Sequence, residues 1–327
     1  MQVFQKLLII HLFLGCVACS RSHSQAEPQT GPVELQLQVS TPFHFVAYGD
    51  SRFHDPKDKE AANPAVRQAL VQAIAQTNPA FISFGGDIVY NGYDKDDWKV
   101  WDSETAVWRE KKIPVYPALG NHDLHGDEKV ALANYFERFP DLSNSRYYSV
   151  RAANTLVLTL DSSQEETSGR QGQWLTQKLD HLSGDVDFVF IVVHHPPYTS
   201  SSDAKIFGGG HSARSQEQKL AKMLEERQQN QRARFVVFSG HVHNYERHEH
   251  GGVTYFVTGG AGAHAYPIER AKDDPFQSKE VNYHYIMVDV DHGTVKITMH
   301  RLELNSGRAV WTEPDSVAIS LPAAQGK

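Results

Sequence analysis

The sequence contains almost no cysteine. Its only two cysteines, Cys16 and Cys19, lie within the first 20 of its 327 residues. Because every later segment lacks a thiol, a folded domain built from those segments can contain neither a structural disulfide nor a thiolate metal site. A metal site in that domain would therefore have to use nitrogen and oxygen ligands.

The sequence also lacks an excess of positive charge. Its 32 Lys and Arg residues are outnumbered by 39 Asp and Glu residues, and the formal net charge is −7. Proteins that hold nucleic acid through broad basic patches have the opposite balance, so we expect no nucleic-acid partner. Histidine is abundant, with 18 residues, and it is the commonest metal ligand in proteins.

The N-terminal apolar run is too short to predict a membrane span. It covers Leu7–Leu14, follows Lys6 and precedes small residues, which is typical of a secretory signal. The letters CVACS resemble a bacterial lipoprotein processing site with Cys19 as the lipidated residue; Cys16 and plain cleavage near Ala18 are the alternatives. We predict export, as a periplasmic or membrane-anchored lipoprotein or else as a secreted protein, with membrane contact only through the lipid anchor.

The chain divides into three predicted segments. Residues 1–19 form the signal, and residues 20–40 form a tether, because Ser20–Pro32 is polar and rich in turn-forming residues. Residues 41–327 form the folded domain. With 40% hydrophobic and 22% charged residues, a chain of this length can bury an ample core.

Apolar runs typical of strands alternate with helix-like segments from about Phe43 onward. The runs are FHFVAYGD, AFISFGGD, IPVYPALGNHD, TLVLTLD, FVFIVVHH and RFVVFSGH. This alternation predicts parallel strands with helices packed outside them. The later runs VTYFVTGG, YHYIMVDV and TVKITMHRLE follow one another without intervening helices, and they predict a second, partly antiparallel sheet.

Three helical segments have clear signals. One begins after Asn63 as N-cap, with Pro64 at its first position, and another runs from Ser215 to about Gln229. Between Asp96 and Lys112, three tryptophans recur at helical spacing and are predicted to be core residues: Trp98, Trp101 and Trp108.

Polar residues directly follow five of the predicted strands. These are Gly49-Asp50, Gly86-Asp87, Gly120-Asn121-His122-Asp123, His194-His195 and Gly240-His241-Val242-His243. Each motif alone could be a turn, a helix cap or a strand exit. Ligands of such folds gather at the carboxyl ends of the strands, and carboxylates, amides and imidazoles suit metal ions that bind oxygen and nitrogen. The five motifs together indicate a site for two ions with one bridging carboxylate.

The ordered motifs GD, GDIVY, GNHD, HHPP and GHVHNYER resemble the calcineurin-like metallophosphoesterase family, in particular its purple acid phosphatase-type members. The resemblance extends from about Phe43 to Leu304. It implies an α/β fold, a four-layer α/β/β/α sandwich of two mixed sheets, with a dinuclear metal centre.

The resemblance also implies a role for individual residues. Seven are implied as metal ligands: Asp50, Asp87, Tyr90, Asn121, His194, His241 and His243. Asp87 would bridge the ions, Asp50 and His243 would bind the first ion, and Asn121, His194 and His241 would bind the second. His195 is the alternative to His194. His122 would protonate the leaving group or stabilise the phosphate, with Asp123 orienting it.

The sequence departs from the wider family pattern at Arg52. Many members have Gly-Asp-x-His where this chain has Gly-Asp-Ser-Arg, and a guanidinium cannot bind a metal ion. The spacing of GDIVY fits the purple acid phosphatases, in which a tyrosine phenolate binds a ferric ion. This implies Tyr90 as a ligand and Fe³⁺ paired with Fe²⁺, Zn²⁺ or Mn²⁺; the alternative for Tyr90 is a packing role.

Three further residues are candidates for contact with substrate. Arg52 could hold a phosphate oxygen or form a surface salt bridge. His211, in FGGGHSAR, and His264, in GGAGAHAYP, could form the substrate rim or be solvated loop residues.

These observations predict an enzyme, a metal-dependent phosphoric ester hydrolase acting on a small phosphorylated substrate, namely a phosphomonoester. A metal-bound hydroxide would attack phosphorus while His122 assists the leaving oxygen. The first alternative is a phosphodiesterase or nucleotidase of the same fold. The second, from another class, is a non-catalytic surface binding protein that keeps the fold.

Overall fold

The computed structural model describes residues 31–202 and 211–322, which form fourteen strands and six α-helices. The strands are β1 (Glu34–Leu37), β2 (Phe43–Tyr48), β3 (Ile82–Phe84), β4 (Val115–Pro117), β5 (Tyr148–Ala152), β6 (Thr155–Thr159), β7 (Phe188–Val193), β8 (Arg234–Ser239), β9 (Tyr245–His250), β10 (Val253–Thr258), β11 (Tyr283–Asp291), β12 (Thr294–Asn305), β13 (Arg308–Thr312) and β14 (Ser316–Ser320). The helices are α1 (Pro64–Thr77), α2 (Lys95–Glu104), α3 (Ala106–Glu110), α4 (Glu128–Arg138), α5 (Gly169–Asp180) and α6 (Ser215–Gln228).

The strands form two mixed sheets. The first has the order β1-β5-β6-β7-β8-β10-β9, and the second has the order β13-β12-β11-β2-β3-β4 with β14 also paired to β12. Strands β6, β7, β8 and β10 are parallel in the first sheet, and β2, β3 and β4 are parallel in the second. The predicted α/β class with two mixed sheets is confirmed.

The two sheets pack face to face, with helices on their outer sides. The ring of Phe45 on β2 lies 5.0 Å from Phe190 on β7 and 6.4 Å from Phe238 on β8. Because successive residues of a strand face opposite sides, Ile191 on β7 points outward and joins an apolar cluster with Leu220 of α6. These contacts give the layer order α/β/β/α that the resemblance implied.

The predicted second sheet is corrected in its composition. The C-terminal strands are divided between both sheets, since β10 pairs parallel with β8 and β11 pairs antiparallel with β2. All six residues of β10 are buried, as expected of a strand covered on both faces. Which neighbour such a strand takes depends on pairing across the fold, so local sequence does not reveal it.

The predicted tether is too long at its C-terminal end. Strand β1, Glu34–Leu37, pairs parallel with β5 and packs Leu35 and Leu37 against the core. Its alternation of exposed and partly buried residues is that of an edge strand. The folded unit therefore begins at Pro32, before the predicted boundary at residue 41.

The predicted signal and the lipid anchor at Cys19 lie outside the described residues and stay predictions. Among the helices in residues 31–202 and 211–322, none is both long and apolar enough to cross a membrane.

The predicted helix starts are found, but the tryptophan-rich segment differs. The side chain of Asn63 accepts a hydrogen bond from the Val66 N–H, and Pro64 begins α1. The segment with the three tryptophans forms two helices, because the chain leaves helical geometry at Thr105, whose hydroxyl donates to the Trp101 carbonyl at 2.6 Å. The tryptophans are all buried, as predicted.

Strand β11 carries a fully buried histidine, His284. Its Nδ1 lies 2.9 Å from the Asn282 carbonyl oxygen, and its Nε2 lies 3.1 Å from the Thr258 hydroxyl. Burial lowers the pKa of His284 to about 4, against roughly 6.5 in an unfolded chain. Between these pH values only the unfolded state binds the proton, so this contribution to stability is complete above pH 6.5 and is lost as the pH falls toward 4.

We expect His284→Gln to flatten the pH dependence of the free energy of unfolding between about pH 6.5 and 4. The wild-type slope from this one group approaches roughly 1.4 kcal/mol per pH unit. Urea titrations of metal-free protein at several pH values measure it. His181→Gln, at an exposed histidine after α5, serves as the control. Equal slopes in the wild type and the His284 variant would contradict the assignment.

Candidate metal centre

The five strand exits singled out in the sequence meet where the two sheets adjoin. A Cβ atom at Gly120 would lie 2.2 Å from the backbone nitrogen of Asp87, and one at Gly240 would lie 2.3 Å from Asp50 Oδ2. Real Cβ atoms do not approach other atoms this closely, so Gly120 is required beside the Asp87 backbone, and a side chain at Gly240 would displace the Asp50 carboxylate. The glycines therefore allow the loops carrying the polar residues to touch.

The backbone at these exits is held in an unusual conformation. Four non-glycine residues have positive φ angles: Asp50 (65°), Arg52 (46°), Asp87 (53°) and His241 (67°). This left-handed region is disfavoured for residues with side chains. Such strain gathers at functional sites, where the surrounding structure must support it.

The first group of candidate ligands is Asp50, Asp87 and His243. One ligand atom from each lies within 4.8 Å of the others, and all three side chains are buried. Nδ1 of His243 donates to the His264 carbonyl at 2.9 Å. Its Nε2 is buried without a hydrogen-bond partner, 3.7 Å from Asp50 Oδ1. A lone pair thus faces a carboxylate.

The second group is Asn121, His194 and His241. Asn121 Oδ1 lies 3.0 Å from His194 Nε2 and 3.0 Å from His241 Nδ1. Because Nδ1 of His194 donates to the Gly85 carbonyl, the neutral ring carries its lone pair on Nε2. Burial lowers the pKa of His194 and favours that neutral ring. Lone pairs of nitrogen and oxygen therefore converge here, which favours a cation between them.

Asp87 lies between the two groups. Its Oδ1 is 3.4 Å from Nε2 of His194, while the same carboxylate belongs to the first group with Asp50 and His243. Two carboxylates, an amide oxygen and three imidazoles form a donor set that suits two ions of the borderline or hard type. The residues present therefore fit a dinuclear centre with Asp87 as its shared ligand.

The two buried carboxylates have opposite protonation tendencies. Burial and the charge of Asp87 raise the pKa of Asp50 well above its ordinary value. Burial also opposes ionisation of Asp87, but His194, His122 and Arg52 together hold the pKa of Asp87 well below its usual range. A cation between the carboxylates would relieve their mutual repulsion and keep both ionised.

The His122 ring and the Asp123 carboxylate have different hydrogen-bond partners. Nδ1 of His122 donates to the Tyr90 carbonyl at 2.7 Å, so that carbonyl, not Asp123, orients the ring. The carboxylate of Asp123 accepts from the backbone N–H groups of Ile88 at 2.9 Å, Val89 at 3.3 Å and Gly120 at 2.9 Å. Asp123 therefore ties together the loops after β3 and β4.

Tyr90 lies beside His122, and Arg52 lies against Asp87. The Tyr90 ring packs between the rings of His54, at 5.0 Å, and His122, at 5.2 Å. The Arg52 guanidinium donates to Asp87 Oδ2 from Nε at 3.3 Å and from Nη2 at 3.2 Å. Arg52 is thus not a surface salt bridge, since its partner is fully buried; the ligand role of Tyr90 stays a prediction.

The two loop histidines behave differently. The ring of His211 lies 5.1 Å from that of His241, so this residue does reach the centre. The side chain of His264 is exposed, and the residue contributes through its carbonyl, which orients His243.

Asn244 and Tyr266 support the centre, although the sequence did not indicate them. The Tyr266 hydroxyl accepts from the His243 N–H at 3.3 Å, and Asn244 donates to the Tyr266 carbonyl at 2.7 Å. Asn244 also accepts from Asn282 at 2.8 Å. These bonds fix the turn after His243. Asn244 stands in GHVHNYER, but its partners lie 22 and 38 residues away, so only the fold reveals them.

Comparison with known proteins identifies relatives of this chain. A family model for calcineurin-like phosphoesterases matches residues 44–245, more than half of the chain. The chain is 26% identical over 203 residues to a phosphoenolpyruvate phosphatase from Allium cepa, covering 57% of this chain and 40% of that protein. It is 28% identical over 144 residues to purple acid phosphatase 23 from Arabidopsis thaliana, covering 42% and 30%. The chain thus spans less than half the length of these curated relatives.

Solved structures share the fold. The purple acid phosphatase PPD1 from seeds of yellow lupin (Lupinus luteus) superposes with a TM-score of 0.61 at 17% identity, covering 86% of this chain and 54% of that one. PhoD superposes with a TM-score of 0.60 at 13% identity, covering 86% and 70%. At these identities the likeness concerns the fold.

Proposed function

The chain belongs to the calcineurin-like phosphoesterase family, and from this premise we propose that it is a metal-dependent hydrolase of phosphoric esters that acts on phosphomonoesters. The observation that carries the proposal is the convergence of lone pairs around Asp87. Oδ1 of Asn121 and Oδ1 of Asp87 both face Nε2 of His194, at 3.0 and 3.4 Å. Acceptors that face one another in this way are satisfied by a cation bound between them.

Two ions would be held by residues from both sheets. Asp87 would be shared; the first ion would take Asp50, Tyr90 and His243, and the second would take Asn121, His194 and His241. When bound, the ions would polarise the phosphoryl group and make water a competent nucleophile near neutral pH.

His122 is the candidate general acid of this chain. Its Nδ1 is bound to the Tyr90 carbonyl, so Nε2 is the nitrogen that can give a proton to a leaving oxygen. Burial lowers the pKa of His122 to about 4, and the ring needs a nearby negative charge to hold that proton. A phosphate dianion supplies such a charge. The acid role therefore weakens as the pH rises.

Arg52 is the candidate for holding the phosphoryl group. Its guanidinium lies against Asp87, beside the proposed reacting atoms. A guanidinium presents several N–H donors in a fixed plane and binds phosphate oxygens well.

Turnover of p-nitrophenyl phosphate and of bis-p-nitrophenyl phosphate, with elemental analysis of the same protein, tests the proposal. We expect two metal equivalents and a higher kcat/KM for the monoester. A higher kcat/KM for the diester would favour the phosphodiesterase alternative. Bound metal without turnover of either ester would favour a binding protein that keeps the fold.

We expect iron-loaded wild-type protein to be purple or pink and Tyr90→Phe to be colourless. The colour would arise from charge transfer between a tyrosine phenolate and Fe³⁺, an ion polarising enough to keep a phenol ionised. Visible absorption spectra measure it. Tyr93→Phe is the matched control, since Tyr93 is 48% exposed and three residues away. A band that survives in Tyr90→Phe would make Tyr90 a packing residue.

A further inference from the structure

His195 lies against the second group of candidate ligands. Its ring centroid is 4.3 Å from that of His241 and 4.9 Å from that of His194. One nitrogen from each of the three imidazoles lies within 4.8 Å of the others. The sequence left His194 and His195 as alternatives for one ligand position, whereas the fold brings both rings to the same place.

Ser162 fixes the orientation of His195. Its hydroxyl lies 2.8 Å from His195 Nδ1 and accepts from the backbone N–H of His195 at 3.3 Å. Ser162 is itself almost fully buried, on the loop after β6. With Nδ1 engaged, Nε2 is the nitrogen of His195 that can bind an ion.

A similar arrangement holds at two other imidazoles of the centre. His194 and His243 each use Nδ1 to bind a backbone carbonyl, that of Gly85 and that of His264. Metal-binding histidines commonly engage their second nitrogen in this way, which sets the tautomer and the direction of the lone pair. His195 has the same construction, with a serine hydroxyl in place of the carbonyl.

We propose that His195 is a third imidazole ligand of the second ion, together with His194 and His241. This inference rests on the proposed function, since it presupposes an ion beside His194. The second site then has three imidazole nitrogens besides the Asn121 amide oxygen and the shared carboxylate of Asp87.

The extra imidazole makes the two sites chemically unequal. The first site is rich in oxygen, since Asp50 and Asp87 outnumber its single imidazole from His243. Imidazole suits Zn²⁺ and Fe²⁺, whereas carboxylate and carbonyl oxygens suit Mn²⁺ and Mg²⁺. His195 therefore biases the second site toward Zn²⁺ over Mn²⁺.

The test is metal affinity. Metal-free wild type, His195→Ala and Ser162→Ala are titrated with Zn²⁺ and with Mn²⁺ against a chromophoric chelator. In His195→Ala we expect one of the two Zn²⁺ affinities to fall on the order of 100-fold, because losing a hydrogen-bond partner of a ligand alone typically costs about 10–100-fold. Mn²⁺ affinity should fall less. Ser162→Ala, which keeps the imidazole, should show a smaller loss at the same site.

A Co²⁺-loaded sample gives a second readout. Ring N–H protons of metal-bound histidines are shifted by the paramagnetic ion, and we expect one such resonance to vanish in His195→Ala. His250→Ala is the control, because His250 is exposed and its ring packs on Tyr198 at 4.0 Å.

The outcomes separate the two proposals. Wild type that binds two Zn²⁺ ions, with unchanged affinities and all shifted resonances in His195→Ala, would overturn the ligand role of His195 alone. Wild type that binds no second ion would overturn the proposed function as well.

Discussion

Replacing Asp87 with asparagine should release at least one metal ion and lower phosphomonoester turnover by several orders of magnitude. The carboxylate of Asp87 is fully buried, belongs to the first group with Asp50 and His243, and lies 3.4 Å from Nε2 of His194 in the second group. An amide of the same size has no negative charge with which to hold two cations. Without that charge, the repulsion between the two cations would remain unscreened. Elemental analysis and steady-state kinetics on the same sample measure both effects.

Glu225→Gln provides the control for the loss of a carboxylate. Glu225 lies on α6 and accepts from the hydroxyls of Tyr198, at 2.8 Å, and Tyr255, at 3.0 Å, so it takes no part in either ligand group. The Glu225→Gln protein should bind both ions and hydrolyse phosphomonoesters at the wild-type rate. An Asp87→Asn protein with two ions and near-normal rates would remove Asp87 from the bridging position.

Replacing His122 with alanine should keep both ions but lower turnover by about 10²–10⁴-fold, the range for loss of a general acid. His122 is not part of either ligand group, and its Nδ1 is bound to the Tyr90 carbonyl. Because the acid matters most when the leaving group is poor, the defect should shrink for esters of acidic phenols. A series of aryl phosphates measures this dependence.

His125→Ala is the matched control for His122. The two rings lie 4.2 Å apart, on the same short turn, but His125 is exposed. Replacing His125 with alanine should change turnover little for any ester of the series, whether its leaving group is good or poor. Equal defects of His122→Ala for good and poor leaving groups would contradict the acid role and leave His122 as a phosphate-binding residue.

The sequence predicted the convergence at the centre because one local rule suffices for it. Asp50, Asp87 and Asn121 follow three apolar runs, and parallel strands bring their carboxyl ends to one edge. The glycines at the strand exits marked the close approaches that the structure contains at Gly120, before Asn121, and at Gly240, before His241.

What the sequence did not predict depends on partners distant along the chain. In the sequence Asp123 directly follows His122, which suggests a contact between the two side chains. In the structure the Asp123 carboxylate accepts hydrogen bonds from the backbone N–H groups of Ile88 and Val89, 35 and 34 residues away. The hydroxyl of Ser162 lies 33 residues from His195. Strand β1 was missed because an edge strand with alternating polar residues resembles a polar linker until its partner β5 is known.

The centre draws its donors from both sheets. Asp50, Asp87 and Asn121 follow strands of the second sheet, whereas His194, His241 and His243 follow strands of the first. The backbone N–H of His241 also donates to Asp50 across this boundary, at 2.9 Å. A cation bound here would therefore link the first sheet to the second. By mass action its affinity adds to the stability of the folded chain, so chelation should shift the melting of both sheets together rather than loosen one loop.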